Sequence, residues 1–184
     1  MKPIKILTLI LALLSVYSAA AQGQFNIFKL GGNLEGLFTE GNSESYWGGA
    51  LSLEHQLKRR TTLGFGFAYN TKKSSASDGT ITVEGRASII TIQPEFRFYP
   101  HAAGDGFYVG FAPALRILKV KITGAIQLED SSTRGSVGLT TGYQLALSNA
   151  LRLQFGGGIG FILPNQNDEP TGTYNFNVLL GYQF

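Results

Sequence analysis

From Gln22 onward the chain alternates apolar and polar residues with a period of two, the repeat of a β-strand whose two faces meet different surroundings. The stretch TYNFNVLLGYQF puts Tyr174, Phe176, Val178, Leu180, Tyr182 and Phe184 on one face, and Asn175, Asn177, Leu179, Gly181 and Gln183 on the other. Seven earlier stretches repeat the design, at 27–38, 46–57, 61–70, 88–99, 107–118, 136–147 and 151–163, between turn-rich segments. The apolar face is bulky, as in Leu63, Phe65, Phe67 and Tyr69 of the third stretch. Within the alternating cores every Lys, Arg, Asp and Glu falls on the opposite face, namely Lys29, Glu35, Glu54, Glu95, Arg97, Arg116 and Arg152. On the apolar face His55 is the one titratable residue besides tyrosine.

A sandwich or a ligand-carrying barrel in water would bury its apolar face and coat the other with charge. Here the polar face is filled largely by glycine, including Gly31, Gly48, Gly64, Gly142, Gly156 and Gly160. Charged residues make up only 15% of the chain, below the ~25% of average soluble domains. Small residues with a few ions suit the crowded inside of an eight-stranded barrel. Phe, Leu and Trp suit an outside that meets lipid. The pattern therefore predicts an all-β fold: an eight-stranded, antiparallel, up-and-down transmembrane β-barrel, apolar outside and polar inside.

The connections, 39–45, 58–60, 71–87, 100–106, 119–135, 148–150 and 164–173, are generally long at odd and short at even positions. Short periplasmic turns and long outer loops would give this order and place both termini in the periplasm. Trp47, Tyr69, Phe98, Tyr99, Phe107, Tyr108, Tyr174, Tyr182 and Phe184 lie near strand ends, where membrane–water interfaces favour aromatics.

Met1 to Lys5 is basic, residues 6–16 are apolar, and Ala19-Ala20-Ala21 precedes Gln22. This is the layout of a cleavable signal peptide at 1–21 before a barrel domain at 22–184. The apolar run is too short to span a bilayer. The formal charge of +3 is scattered, with Lys58-Arg59-Arg60 the longest basic run, so no nucleic-acid surface is expected. The absence of cysteine excludes disulfides, thiolate metal sites and thiol catalysis.

The leader, the eight alternating segments and the ending Tyr182-Gln183-Phe184 resemble the small OmpA/OmpX-type outer-membrane barrels of Gram-negative bacteria. The stretch Pro94 to Tyr99 is similar to a recurrent strand motif of such barrels. The resemblance implies an outer-membrane location, a monomer in contact with lipid, and Tyr182 and Phe184 as a signal read by the barrel assembly machinery.

Several groups could carry chemistry. Inward-facing Glu35, Glu54 and Glu95 with Lys29, Arg97, Arg116 and Arg152 are expected to pair and close the lumen, because unpaired buried ions are costly. A proton or solute path is the alternative use of the same set. His101 falls in an even-numbered turn and His55 near the same end facing lipid, so neither suits a catalytic site in the outer leaflet, and no enzyme is expected. The acidic pairs Glu129-Asp130 and Asp168-Glu169 lack calcium-loop spacing, and no metal or cofactor is expected. Lys119 to Leu128 keeps a strand-like alternation and could pair with residues of the stretch 80–86, Ile81 and Val83 included, as an outward-projecting sheet, open to an extracellular partner. Pro94 and Pro113 fall mid-strand and almost opposite each other, where a bulge or unpartnered ladder positions are expected. The role these features predict is structural or surface-interacting, in adhesion or recognition; a narrow pore is the alternative, and a lipid-modifying enzyme a third possibility.

Overall fold

The computed structural model describes residues 25–39, 42–77, 82–123, 127–164 and 171–184. The expected leader at 1–21 lies outside the described residues, as do Asp168, Glu169 and the loop residue Ile81. Eight strands, β1 (Asn26–Thr39), β2 (Asn42–Lys58), β3 (Thr61–Ser77), β4 (Thr82–Phe98), β5 (Gly106–Thr123), β6 (Leu128–Ala146), β7 (Leu151–Ile162) and β8 (Thr171–Gln183), follow one another around a closed barrel. Every neighbouring pair is antiparallel, and β8 closes on β1.

The register sets the tilt. From Asn26 the ladder runs through His55, Leu63, Phe96, Phe111, Leu139, Ile159 and Tyr174, and returns to β1 at Gly36, ten residues further along. A stagger of this size across eight strands corresponds to a strand tilt of about 40°. Backbone bonds at the closing seam hold the last residue, Phe184 N–H to Asn26 O at 2.9 Å and Asn26 N–H to Phe184 O at 3.0 Å.

The barrel is inverted relative to a water-soluble fold. Its outside carries a continuous apolar band in which Ile159 is 68% exposed, Leu139 64% and Phe111 51%. Patches beyond a few hundred Å² are rare on proteins that live in water. Lys29, Glu35 and Glu54 are almost fully buried inside. Trp47, Tyr69, Phe98, Phe107 and Tyr182 are exposed at the rims, as expected of an aromatic girdle.

Three expectations change. Tyr99 and Tyr108, grouped with the rim aromatics by position although their parity is that of the polar face, turn inward, 0% and 1% exposed, and pack against each other with centroids 5.6 Å apart. His55, expected to face lipid, is covered, with Nδ1 2.9 Å from Asn26 Oδ1. The expected outer loops 71–87 and 119–135 are largely strand, because β3 to β6 run on past the apolar band, and the pairing expected between 119–128 and 80–86 is found from Glu84 with Thr123 to Arg86 with Lys121. Of the two outcomes expected at Pro94 and Pro113, the structure shows the unpartnered ladder positions and no bulge. Ile92 pairs with Leu115 and Phe96 with Phe111 in one unshifted register, while the three pairs between them are missing. Both prolines keep their partners on the other side, Phe65 and Val137. The bonds missing from this seam are those that two facing proline nitrogens would have donated.

Candidate functional site

The lumen is built in storeys. At the end carrying the β4–β5 turn, residues 99–105 fold inward. Tyr99 N–H donates to Arg60 O at 2.8 Å and Ala103 N–H to Arg59 O at 2.9 Å, which ties this turn to the β2–β3 turn. Gly104 and Gly106 adopt φ of +78° and +85°, backbone that favours glycine. Tyr99, Ala103 and Tyr108, with Phe25 against them, form an apolar floor. Gly142 and Gly156, paired across β6 and β7, make room for it: a Cβ at either would lie 2.6 or 2.5 Å from Tyr108 Oη.

Above the floor, Glu54 Oε1 accepts from Thr62 Oγ1 at 2.6 Å and Tyr99 Oη at 2.7 Å. Its Oε2 accepts from Lys29 Nζ and from Arg97 Nη1, the latter at 2.9 Å. Four donors use the roughly four lone-pair sites of a carboxylate. Lys29 Nζ also donates to Gln144 Oε1 at 2.7 Å and Gln154 Oε1 at 2.6 Å, so all three of its protons are engaged. Arg97 reaches Glu95 Oε2 at 2.6 Å and stacks over the Tyr108 ring at 4.4 Å, while Thr140 donates to Glu95 Oε1 at 2.5 Å. Two cations face two anions.

Nearer the other end a second layer centres on Glu35. Arg116 Nε donates to it at 2.7 Å, Thr91 Oγ1 at 2.8 Å and Asn70 Nδ2 at 3.0 Å, with Asn33 behind Asn70. Between the layers lies a space of about 60 Å³ bounded by Glu35, Thr91, Glu95, Arg97 and Asn177. Beyond Glu35 the lumen widens into a mouth of about 300 Å³ lined by Thr39, Asn42, Glu44, Ser132 and Arg134. There the Tyr46 hydroxyl, 2.5 Å away, holds the Glu44 carboxyl below the usual carboxylate range, and Lys72 lies 3.3 Å from it.

Of the seven residues expected to share the lumen, Lys29, Glu35, Glu54, Glu95, Arg97 and Arg116 come together in these two layers. Arg152 does not. Its Nη1 donates to the turn carbonyls of Ser148 at 2.5 Å and Leu151 at 3.1 Å. Without it the buried ions balance, three of each sign. Gln144, Gln154, Thr62, Asn70, Thr91 and Tyr99 complete the shells; their polar-face parity or turn position was the available signal, but which ion each would meet depends on the stagger. His101 is exposed in the β4–β5 turn. Among the described residues no group of three metal-ligating side chains occurs.

Residues 44–175 match a family described as Protein of unknown function (DUF3575). No curated protein sequence matches the chain. Among solved structures the barrel is similar to Ail, the attachment invasion locus protein of Yersinia pestis, in complex with the heparin analogue sucrose octasulfate (TM-score 0.61, 13% identity, covering 89% of this chain and 100% of that one). It is also similar to Neisserial surface protein A (TM-score 0.59, 11% identity, 89% and 100% covered). A third is a major outer membrane protein of Thermus thermophilus (TM-score 0.57, 12% identity, 86% and 99% covered). At such identities the likeness establishes the fold, that of the small outer-membrane barrels.

Proposed function

The chain belongs to the family described as Protein of unknown function (DUF3575), and we propose that it is an outer-membrane barrel closed to bulk solutes, holding a rigid sheet at the cell surface for contact with an extracellular partner. The apolar band and the aromatic rims support residence in a bilayer. Both termini lie in the periplasm on this reading, because the short turns gather at their end and the long strands project from the other. Tyr182 and Phe184, exposed on the closing strand, serve as the assembly signal.

The single observation that carries the closed state is the saturation of Lys29 and Glu54. Each is buried, each has its hydrogen-bonding capacity used, and neither has a lone pair or proton left for a passing ion. The attachment named in the description of Ail is in keeping with a surface role on the same fold.

Purified chain inserted into a planar bilayer is expected to give no stable unitary current. Reproducible steps abolished by Arg97→Ala or Arg116→Ala would establish a narrow pore instead.

A further inference from the structure

Above the apolar band, the outward face of the projecting sheet carries a row of three basic residues. Lys73 stands directly opposite Arg86, and Arg86 directly opposite Lys121, across three consecutive strands. All three are exposed, and among the described residues none has an ion pair or hydrogen bond through its charged group. Like charges directly opposite in a sheet repel, and here the sequence does this twice in one row. The neighbouring outward charges are Lys119 one row nearer the band, Glu129 opposite Lys121, and Glu84 one row further out; together the face stays net basic. Lys73, Arg86, Lys121 and Glu84 line a hollow of about 500 Å³.

The height of the row matters. Tyr69 pairs with Ile90 and Ile90 with Ile117 at the rim of the band, and the basic row lies two outward-facing rows beyond. It therefore stands on the lipid-facing side of the wall where headgroups begin, and long basic side chains can reach along the sheet toward them. We infer that Lys73, Arg86 and Lys121 form a binding site for the phosphates of an anionic, phosphorylated lipid headgroup in the outer leaflet. The inference rests on the outer-membrane orientation proposed above. Bound phosphate would neutralise the repulsion between the facing cations, and Arg86, at the centre, offers the planar fork suited to phosphate oxygens.

The test uses the full chain folded in phosphatidylcholine vesicles with or without a minor fraction of bisphosphorylated lipid A, extracted into neutral detergent and weighed by native mass spectrometry. At about fivefold per basic residue near a charged membrane surface, the wild type should retain the phosphorylated lipid on the order of a hundredfold more than the K73Q/R86Q/K121Q variant. Raised salt should narrow the gap. The variant K58Q/R59Q/R60Q, altered at the opposite end of the barrel, should retain lipid like the wild type. Equal retention by the two triple variants, loss confined to the opposite-end variant, or displacement of the lipid by low concentrations of inorganic phosphate would overturn the site. Insertion is read separately, from the heat-dependent mobility of the folded band. A chain that inserts without lipid preference sinks this site alone, and a chain that never inserts sinks the membrane reading with it.

Discussion

Lys29 shows what a filled lumen demands of a single side chain. Its ammonium group is fully buried, where an uncompensated charge would cost several kcal/mol, and Glu54, Gln144 and Gln154 take its three protons. Lys29→Met leaves Glu54 with a lost donor and Arg97 as its remaining ionic partner, and Glu54→Gln strands Lys29. Each single change is expected to lower stability by about 3–5 kcal/mol. The double variant should recover much of that loss, because no lone ion is left; urea unfolding of the folded band in vesicles measures all three. Arg152→Ala, at a half-buried position whose guanidinium serves two turn carbonyls, should cost less, about 1–2 kcal/mol. Parity along each strand was enough to send six of the ions inward. It could not separate Arg152, whose turn carbonyls lie within hydrogen-bonding reach, nor show that Tyr99, inward by the same parity, would reach Glu54. Those outcomes depend on how the turn folds, and turn geometry left no periodic mark in the sequence.

At the scale of strands, the proline seam is a join whose ladder is interrupted mid-strand. Pro94 and Pro113 face each other on β4 and β5, and the ladder is broken between Ile92/Leu115 and Phe96/Phe111. Their carbonyls lack the opposing donors that a non-polar surrounding makes valuable. Pro94→Val with Pro113→Val supplies both N–H groups at positions already in register. The double variant is expected to gain about 1–3 kcal/mol from two hydrogen bonds at 0.5–1.5 kcal/mol each. It should also show two new slowly exchanging amides by hydrogen exchange; fast exchange at both, with no gain in stability, would mean that the seam cannot close. The opposition of the prolines was legible by counting outward from the turn, whereas the unshifted register was not, since a bulge would have satisfied the same count. Strand length was under-read at the outer end. Ser, Thr and Lys replace apolar residues in 71–77 and 128–135, so the two faces lose their contrast just where both meet water, while backbone pairing continues.

For the molecule as a whole, two media explain one architecture. Hydrocarbon outside selects bulky apolar residues, Phe, Leu and Ile foremost, on most outward positions of the band. A narrow lumen selects glycine wherever a large side chain such as Tyr108 must fit, and accepts ions only as closed, balanced sets. The fold class was readable in full because this segregation covers nearly every strand residue. The proposed surface role is less visible, since it rests on the projecting ends of β3 to β6, where neither hydrocarbon nor crowding constrains the choice of residue.

The chain has one tryptophan, and this permits a direct measurement of the inversion. In a Trp47→Phe background, Leu139→Trp places the only indole within the outward band, at a position 64% exposed. In vesicles its fluorescence should be strongly quenched by lipids brominated deep in the acyl chain and hardly at all by aqueous iodide. Quenching by iodide with indifference to brominated lipid, in a chain that has folded, would mean that this face meets water and would contradict the account.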